Sequence, residues 1–254
     1  MVFTVDIGNS NIVVGPVGPE GVGFVERIST DHKKTDLEYA MTLKAVMDLH
    51  RILPGEIEGC IISSVVPPVT GVVAGALHKL TGREPLVVGP GIRTGLNIRT
   101  ENPAQLGSDR VVDAVAAIAE YPLPLIVIDM GTATTMSAID EKGNYLGGVI
   151  CPGVQISLEA LASRTSQLPN ISFEAPRHAI GANTVECMRS GAILGNASML
   201  DGMIARLEQE LGGPATVVAT GGLSSFIIPH CRHEIHYDET LLLKGLYLIY
   251  RKNR

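Results

Sequence analysis

Tryptophan is absent from the sequence, and aromatic residues make up only 4% of its 254 residues. Aromatic platforms on which bases could stack are therefore scarce. The formal net charge is −6, which argues against the basic face that binds a nucleic-acid backbone. No apolar run is long enough to span a bilayer, because glycine, proline or charge interrupts every candidate. The composition predicts a protein that binds neither nucleic acid nor membrane.

Paired cysteine motifs are missing as well. The four cysteines lie far apart and form no C-x-x-C motif, and the N-terminal residues lack the basic region of a signal peptide. Reduced thiols and a cytoplasmic location are therefore expected. With 45% hydrophobic and 18% charged residues, the chain is expected to fold into one large or two moderate globular domains.

The two common nucleotide-binding loops are also absent. There is no G-x-x-x-x-G-K-S/T segment, which excludes a P-loop. The glycine-rich residues 89–95 follow a strand-like stretch, but Asn102-Pro103 and a β-like stretch come after them instead of a helix. A dinucleotide-binding βαβ unit is therefore disfavoured.

A pair of similar segments is the most informative feature that is present. Residues 3–15 read as two β-rich runs around a turn of small polar residues, and residues 125–138 repeat this pattern. In each copy the first strand ends in Asp-x-Gly, at Asp6 and at Asp129. Two such copies about half a chain apart indicate an internal duplication.

Strands and helices alternate around these copies, which is typical of the α/β class. Helices are predicted at residues 36–49, 69–80, 109–120, 154–163, 184–211 and 238–250, the fifth with a break near Gly202. Further strands are predicted at residues 59–66, 85–88 and 215–219. We place the lobe boundary near residue 120, which predicts lobes of residues 1–120 and 121–254.

The two Asp-x-Gly turns suit phosphate chemistry. A carboxylate at a strand end can hold a hydrated cation, and the amides of a glycine-containing turn can meet phosphate oxygens. One copy alone would favour an ordinary hairpin turn. The second copy favours a phosphate site, since duplicated lobes would place the two acidic turns face to face across a cleft. That arrangement suits phosphoryl transfer, in which positioning and charge neutralisation dominate.

The segment from Gly107 to Arg110 offers a second candidate site. Ser108 and Asp109 suit the N-cap and first turn of a helix, which requires no catalytic role. Capping leaves Arg110 unexplained, because a cation is disfavoured in the first turn of a helix. An acid beside an arginine at a helix start can instead deprotonate a hydroxyl and bind an anion. Both interpretations remain open at this point.

Other polar segments are ambiguous. Residues 147–153 and 220–224 are glycine-rich turns that either bring backbone close to a nucleotide or simply connect strand to helix. A group of metal-ligating residue types stands near the C terminus: His230, Cys231, His233 and His236. A solvated loop or edge strand is favoured over a zinc site there, because strand residues three apart face opposite sides and no C-x-x-C or H-E-x-x-H motif accompanies them.

Together these motifs resemble type III pantothenate kinases, a branch of the acetate and sugar kinase/Hsp70/actin superfamily. The resemblance spans essentially the whole chain in order, and its most specific part is Gly107-Ser108-Asp109-Arg110 placed before Asp129-x-Gly131-Thr132. The other matching segments are residues 64–67, 147–153, 164–169 and 181–184. The resemblance implies a duplicated ribonuclease-H-like (actin-like ATPase) α/β fold, with two lobes and a central cleft. It also implies ATP-dependent phosphorylation of the primary hydroxyl of pantothenate, the first step toward coenzyme A.

The resemblance further implies roles for individual residues. The ATP phosphates would be bound by Thr132 and by the turn made of Asp6, Ile7, Gly8, Asn9, Ser10, Asn11, Ile12 and Val13, with Asp6 near Mg²⁺. Asp109 would be the base, and the pantothenate pocket would be lined by Gly107, Ser108 and Arg110. Asp129 would hold K⁺ or NH₄⁺. Thr184 would reach the substrate from the neighbouring subunit of a homodimer with a shared substrate pocket.

One position departs from the family pattern. Many members carry Tyr two residues before the Asn-Pro that precedes the G-x-D-R motif, and Thr100 stands there. Because Thr cannot supply the same ring wall, Thr100 bears on substrate preference. Two alternatives stay open. One is another small-molecule kinase of the superfamily, acting on a sugar or a carboxylate. The other is a non-catalytic regulator that binds nucleotide without acceptor-dependent release of ADP.

Overall fold

The computed structural model describes residues 1–254 and contains two β-sheets of six strands each. The first sheet consists of β1 (Val2–Ile7), β2 (Asn11–Gly18), β3 (Gly21–Val22), β4 (Glu26–Ser29), β5 (Gly59–Ser64) and β6 (Leu86–Val87). The second sheet consists of β7 (Asn97–Ile98), β8 (Leu125–Met130), β9 (Ala133–Ile139), β10 (Asn144–Pro152), β11 (Thr216–Thr220) and β12 (His236–Tyr237).

Helices alternate with these strands, as predicted for the α/β class. They are α1 (Asp36–Leu49), α2 (Pro67–Thr81), α3 (Ser108–Glu120), α4 (Val154–Arg164), α5 (Thr184–Ser190), α6 (Asn196–Leu211), α7 (Ser224–Ile227) and α8 (Leu241–Lys252). Short 3₁₀ turns lie at Pro54–Glu56, Pro103–Gln105 and Ile228–His230. No helix combines the length and the apolar character needed to cross a membrane.

The two sheets share the same central arrangement. The first sheet has the order β3-β2-β1-β5-β6, and β4 also pairs with β2. The second has the order β12-β11-β8-β9-β10-β7. In each sheet the first strand of a hairpin, β1 or β8, pairs antiparallel with the next strand and parallel with a later one, β5 or β11. This shared arrangement confirms the predicted duplication of an α/β unit.

The first compact unit comprises Met1–Leu96, Glu101–Ala119 and Thr240–Arg254. Alternate residues of β1 point to opposite faces of its sheet, so each face has its own core. Phe3, Val5 and Ile7 pack with the buried side chains of α1 and α2. Val2, on the other face, packs with α3 and α8.

Helix α8 groups with this first unit, whereas the sequence assigned all of residues 121–254 to one lobe. Its buried residues Leu243, Leu246 and Ile249 cover the second face of the first sheet. Tyr250 lies so close to β5 that a Cβ atom on Gly59 would overlap its ring. The apolar spacing of α8 predicted a helix with one buried face, but spacing carries no information about which sheet that face covers.

The second compact unit comprises Asn97–Thr100 and Glu120–Glu239. Residues 97–100 group with it because β7 pairs in parallel with β10, and the Arg99 N–H donates to the Tyr145 carbonyl at 2.8 Å. Its core lies between the sheet and helices α4 and α6, and includes Ile126, Met136 and Leu200.

Two local predictions for this unit were wrong. The helical stretch at residues 184–211 has no break at Gly202, which lies inside α6; its irregularity is a π turn at Gly191–Gly195. Residues 147–152 are not a turn but part of β10, which pairs antiparallel with β9. Gly147 has φ +141° at a register shift in this pairing, so the glycine signal marked a β-bulge.

Candidate functional site

The first acidic turn connects β1 to β2. Asp6 is flanked in the sheet by Val13 of β2 and by Ser63 of β5. The turn is closed by the Gly8 N–H, which donates to the Asn11 carbonyl at 3.0 Å. The next three residues, Asn9 to Asn11, are exposed. The turn therefore presents small polar side chains and backbone amides to solvent.

Three apolar members of the predicted phosphate-binding segment differ from the rest. Ile7 and Ile12 are fully buried in the core on the α1 and α2 face of the sheet, and Val13 is half-buried. The buried side chains of Ile7 and Ile12 cannot contact a ligand. Any contact that these two residues make with ATP is therefore made by their backbone.

Ser108 connects the start of α3 to the end of β5. Its hydroxyl donates to the Ser64 carbonyl and accepts from the Ser64 N–H, both at 3.0 Å. The Ser63 hydroxyl lies 3.0 Å away and serves as a second donor to Ser108, since the one Ser108 proton is already used. The bonding capacity of the Ser108 hydroxyl is thus full, which leaves only the backbone of Ser108 for a ligand.

These hydrogen bonds also correct the helix-capping interpretation of Ser108. Ser108 is the first residue of α3, and its side chain bonds to β5 instead of to the amides of its own helix. Ser63 is fully buried and neighbours Asp6 in the sheet, a position that was not predicted from the sequence. The only signal for it was a serine at the end of an apolar strand.

Asp109 follows in the first turn of α3. The Arg110 N–H donates to Asp109 Oδ1 at 2.7 Å. A Cβ atom on Gly107 would collide with the same carboxylate oxygen, so glycine permits the carboxylate to fold back. Burial raises the pKa of Asp109, and the hydrogen bond and charge of Arg110 oppose that effect only in part. A carboxyl group with a raised pKa is suited to taking up a proton.

The second acidic turn connects β8 to β9 and occupies the position in its sheet that the first turn occupies in the first sheet, but it is one residue shorter. Asp129 is flanked in the sheet by Thr135 of β9 and Thr220 of β11. The Gly131 N–H donates to the Ala133 carbonyl, two residues on, at 3.1 Å, whereas the Gly8 N–H in the first turn donates to a carbonyl three residues on. Thr132 is half-buried within the turn.

Two glycines pack directly against this second turn. A Cβ atom on Gly153 would collide with the Thr132 carbonyl and lie 2.6 Å from that of Gly131. A Cβ atom on Gly221, which has φ +94°, would lie 2.6 Å from Asp129 Oδ1 and 2.7 Å from the Met130 N. Both glycines are therefore required by close approach to the acidic turn, which a plain connecting turn would not need.

The other two predicted substrate residues lie in the second unit. Thr100 follows β7, and its buried hydroxyl has no hydrogen-bond partner. Thr184 is the exposed first residue of α5, behind the N-cap Asn183, whose side chain accepts from the Glu186 N–H at 3.0 Å. Thr184 lines a mainly apolar cavity of about 310 Å³ between α4 and the α5–π-turn segment.

The histidines near the C terminus are tied into local structure. His233 Nδ1 lies 2.9 Å from Asp201 Oδ1, and the Arg232 and His233 amides also donate to the Asp201 carboxylate. His230 ends a 3₁₀ turn, and His236 begins β12. The chain contains no group of three or more histidine, cysteine, aspartate or glutamate side chains placed to hold a metal ion.

The acidic turns themselves fit a different kind of cation site. Asp6 and Asp129 each offer carboxylate oxygens, the ligand type that Mg²⁺ and other hard cations prefer. Mg²⁺ usually binds through one or two carboxylates together with substrate phosphates, and does not require a cage of protein ligands. A single carboxylate beside the backbone of a turn fits that chemistry.

Comparison with known proteins gives a consistent result. A family model described as type III pantothenate kinase matches residues 2–206. A type III pantothenate kinase from Exiguobacterium sp. strain AT1b is 45% identical over 254 residues and covers 100% of both chains.

Two solved structures show the fold. Component A of (R)-2-hydroxyglutaryl-CoA dehydratase from Acidaminococcus fermentans has TM-score 0.59 and 12% identity over 100% of both chains. A ROK family glucokinase from Streptomyces griseus has TM-score 0.50 and 12% identity, and covers 99% of this chain and 98% of that one. These likenesses confirm the predicted duplicated ribonuclease-H-like fold.

Proposed function

Because the chain belongs to the type III pantothenate kinase family, we propose that it transfers the γ-phosphoryl group of ATP to the primary hydroxyl of pantothenate. The product is 4′-phosphopantothenate, and the reaction is the first step of coenzyme A biosynthesis. The family model and the full-length relative support the reaction. The single observation of the site that carries it is Asp109, a half-buried carboxylate with a raised pKa beside Arg110 at a helix start.

Asp109 has the role of general base or orienting group for the pantothenate hydroxyl. A base is most effective when its pKa lies near the working pH, and burial moves the pKa of Asp109 in that direction. Arg110 offsets negative charge on the substrates. Gly107 and the backbone of Ser108 line the pantothenate pocket, and Thr100 contributes to its shape. Thr184 reaches that pocket from the neighbouring subunit of a homodimer.

The ATP phosphates bind to the two acidic turns. In the first turn, the exposed residues Asn9 to Asn11 and their amides support this role. In the second, Thr132 contacts the phosphates. Asp6 would hold Mg²⁺ through its carboxylate, and Asp129 would hold K⁺ or NH₄⁺. These cations supply charge neutralisation for the phosphates. The enzyme acts in the cytoplasm on a small acid, without nucleic acid or membrane.

A coupled assay of ADP release tests the proposal. ADP formation is expected to require both pantothenate and K⁺, and not to occur with acetate or hexoses. We expect Asp109→Asn to lower kcat by about 100-fold or more, since positioned bases contribute about 10²–10⁴-fold, while ATP affinity is retained. Asp48→Asn is the matched control, because Asp48 is an exposed helix residue paired with Lys44.

Three results would contradict the proposal. Near-normal turnover by Asp109→Asn would remove Asp109 from the role of base. ADP release with a sugar or acetate in place of pantothenate would indicate another kinase of the superfamily. ATP binding with no acceptor-dependent ADP release would indicate a nucleotide-binding regulator.

A further inference from the structure

The first acidic turn is hydrogen-bonded to Thr30, a residue outside the hairpin. The Thr30 hydroxyl donates to the Gly8 carbonyl at 2.6 Å. The Thr30 N–H donates to the Ser10 carbonyl at 3.0 Å. Two of the turn's carbonyls are therefore bonded to the same half-buried residue, one through its side chain and one through its backbone.

Sheet pairing explains why Thr30 reaches the turn. Thr30 directly follows β4, which pairs antiparallel with β2, and Ser29 of β4 lies opposite Asn11 at the start of β2. The register that aligns β4 with β2 thus carries Thr30 just past the end of the strand pair, where the turn lies. Nothing in the local sequence around Thr30 indicates this neighbour.

The two bonds orient the amides of the turn. A trans peptide unit is planar, so its N–H points away from its C=O. The Gly8 carbonyl belongs to the same peptide unit as the Asn9 N–H, and the Ser10 carbonyl to that of the Asn11 N–H. By holding both carbonyls, Thr30 directs the Asn9 and Asn11 amides to its opposite side. Amides that point the same way from a turn form an anion-binding surface.

A second residue holds Thr30 in place. The Tyr39 hydroxyl accepts from the Asp31 N–H and donates to the Asp31 carbonyl, both at 2.9 Å. Tyr39 is fully buried in α1, within the core under the first sheet. The N–H and the carbonyl of Asp31 are therefore both bonded to a core residue. This restricts the backbone of Thr30, which directly precedes Asp31.

We propose that Thr30, supported by Tyr39, is a positioning residue that presents the amides of the first acidic turn to the phosphates of ATP. The inference rests on the proposed function, because it takes ATP as the ligand of this turn. It adds two residues that act through the turn, without touching the nucleotide.

Substitutions of Thr30 distinguish a role in positioning the turn from a role in packing alone. Thr30→Val keeps the shape and the backbone bond but removes the hydroxyl that bonds to Gly8. It is expected to weaken ATP binding about fivefold, the loss that corresponds to about one hydrogen bond, and to raise the KM for ATP similarly. The KM for pantothenate is expected to stay within about twofold of the wild type, since the turn is proposed to contact only ATP. Thr30→Ser keeps the hydroxyl and is expected to restore ATP affinity.

The same hairpin provides a matched control. The Thr4 hydroxyl donates to the Gly15 carbonyl at 2.7 Å, a bond of the same kind within the pairing of β1 and β2 and away from the turn. Thr4→Val is expected to lower the unfolding temperature about as much as Thr30→Val without changing ATP affinity. Tyr39→Phe, which removes only the hydroxyl, is expected to weaken ATP binding about twofold to threefold. The effect is smaller because Tyr39 acts on the turn only through Asp31 and Thr30.

ATP affinity is measured by titration calorimetry, so the outcome does not depend on pantothenate turnover. A wild type that binds ATP but shows no pantothenate-dependent ADP release would overturn the proposed function and leave the role of Thr30 measurable. Unchanged ATP affinity in Thr30→Val, an equal loss in Thr4→Val, or no recovery in Thr30→Ser would overturn the inference. Unchanged affinity in Tyr39→Phe would remove Tyr39 from it.

Discussion

The Asp109 carboxylate lies where burial disfavours its ionised form. Burial raises its pKa, while the Arg110 N–H and guanidinium lower it by a smaller amount. The energetic cost of burying the charge is offset elsewhere in the fold, which is common for groups that act as bases. The sequence indicated the acid-arginine pair, but it could not indicate the burial, which depends on how Gly107 lets the carboxylate fold back.

The raised pKa predicts that Asp109→Asn stabilises the protein at neutral pH. A folded-state pKa above the unfolded value means that stability falls as pH rises through the folded pKa, so the ionised form is the costly one. Asn keeps the acceptor for the Arg110 N–H and has no charge. Urea unfolding, followed by circular dichroism because tryptophan is absent, is expected to give a larger unfolding free energy for the variant at pH 7.

The gain is expected to shrink as pH is lowered toward the ordinary aspartate pKa of 3.8, where the wild-type carboxyl is increasingly protonated. A variant less stable than the wild type at pH 7 would show that the carboxylate is stabilised in the folded state, against the raised pKa. The exposed control Asp48→Asn is expected to change the unfolding free energy by no more than about 0.5 kcal/mol.

Elements with a regular apolar pattern or a repeated Asp-x-Gly turn could be predicted from the sequence, but the structure of the later glycine-rich segments could not. The predicted helix at residues 36–49 matches α1, and both Asp-x-Gly hairpins are present at the predicted places. Strand β10 was mistaken for a turn because Gly147 and Gly148 hide its alternation, and the bulge at Gly147 appears only once β10 pairs with β9. The functional meaning of Gly153 likewise depends on which turn it packs against.

Gly153→Ala tests that close approach. Gly153 has φ −65° and ψ 156°, which alanine adopts without strain, so the obstacle is the collision of its Cβ with the Thr132 and Gly131 carbonyls. We expect a loss of about 1–3 kcal/mol in unfolding free energy, the usual cost of overpacking. Displacement of the second acidic turn is also expected to weaken ATP binding, as measured by calorimetry.

Gly195→Ala is the matched control for Gly153→Ala. Gly195 has helical dihedrals, and a Cβ atom there would meet no neighbour within 4 Å. Alanine is expected to stabilise this position by up to about 1 kcal/mol, because glycine is a poor helix residue. If Gly153→Ala behaved like Gly195→Ala in both assays, the packing of α4 against the turn would have no part in the site.

At the scale of the whole molecule, chain order and spatial grouping differ. The duplication could be predicted, because two Asp-x-Gly hairpins mark it in the sequence, and it placed Asp6 and Asp129 at equivalent points of the two sheets. The return of α8 to the first sheet could not be predicted, since it depends on which apolar face remains open after α3 has packed. Thr30 and Ser63 were also not predicted. Their neighbours are set by the register between strands, which the local sequence does not contain.

The packing of α8 on the first sheet predicts which strands are destabilised when a buried residue of α8 is substituted. Leu246 is fully buried against the first sheet, so Leu246→Ala is expected to cost about 2–5 kcal/mol of unfolding free energy. Amide exchange is expected to quicken first in β1 and β5, which α8 covers, and less in β8 and β11 of the second sheet. The exposed neighbour Arg251→Ala is expected to change stability by no more than about 0.5 kcal/mol. Faster exchange confined to β8 and β11 would assign α8 to the C-terminal unit, as its position in the chain had suggested.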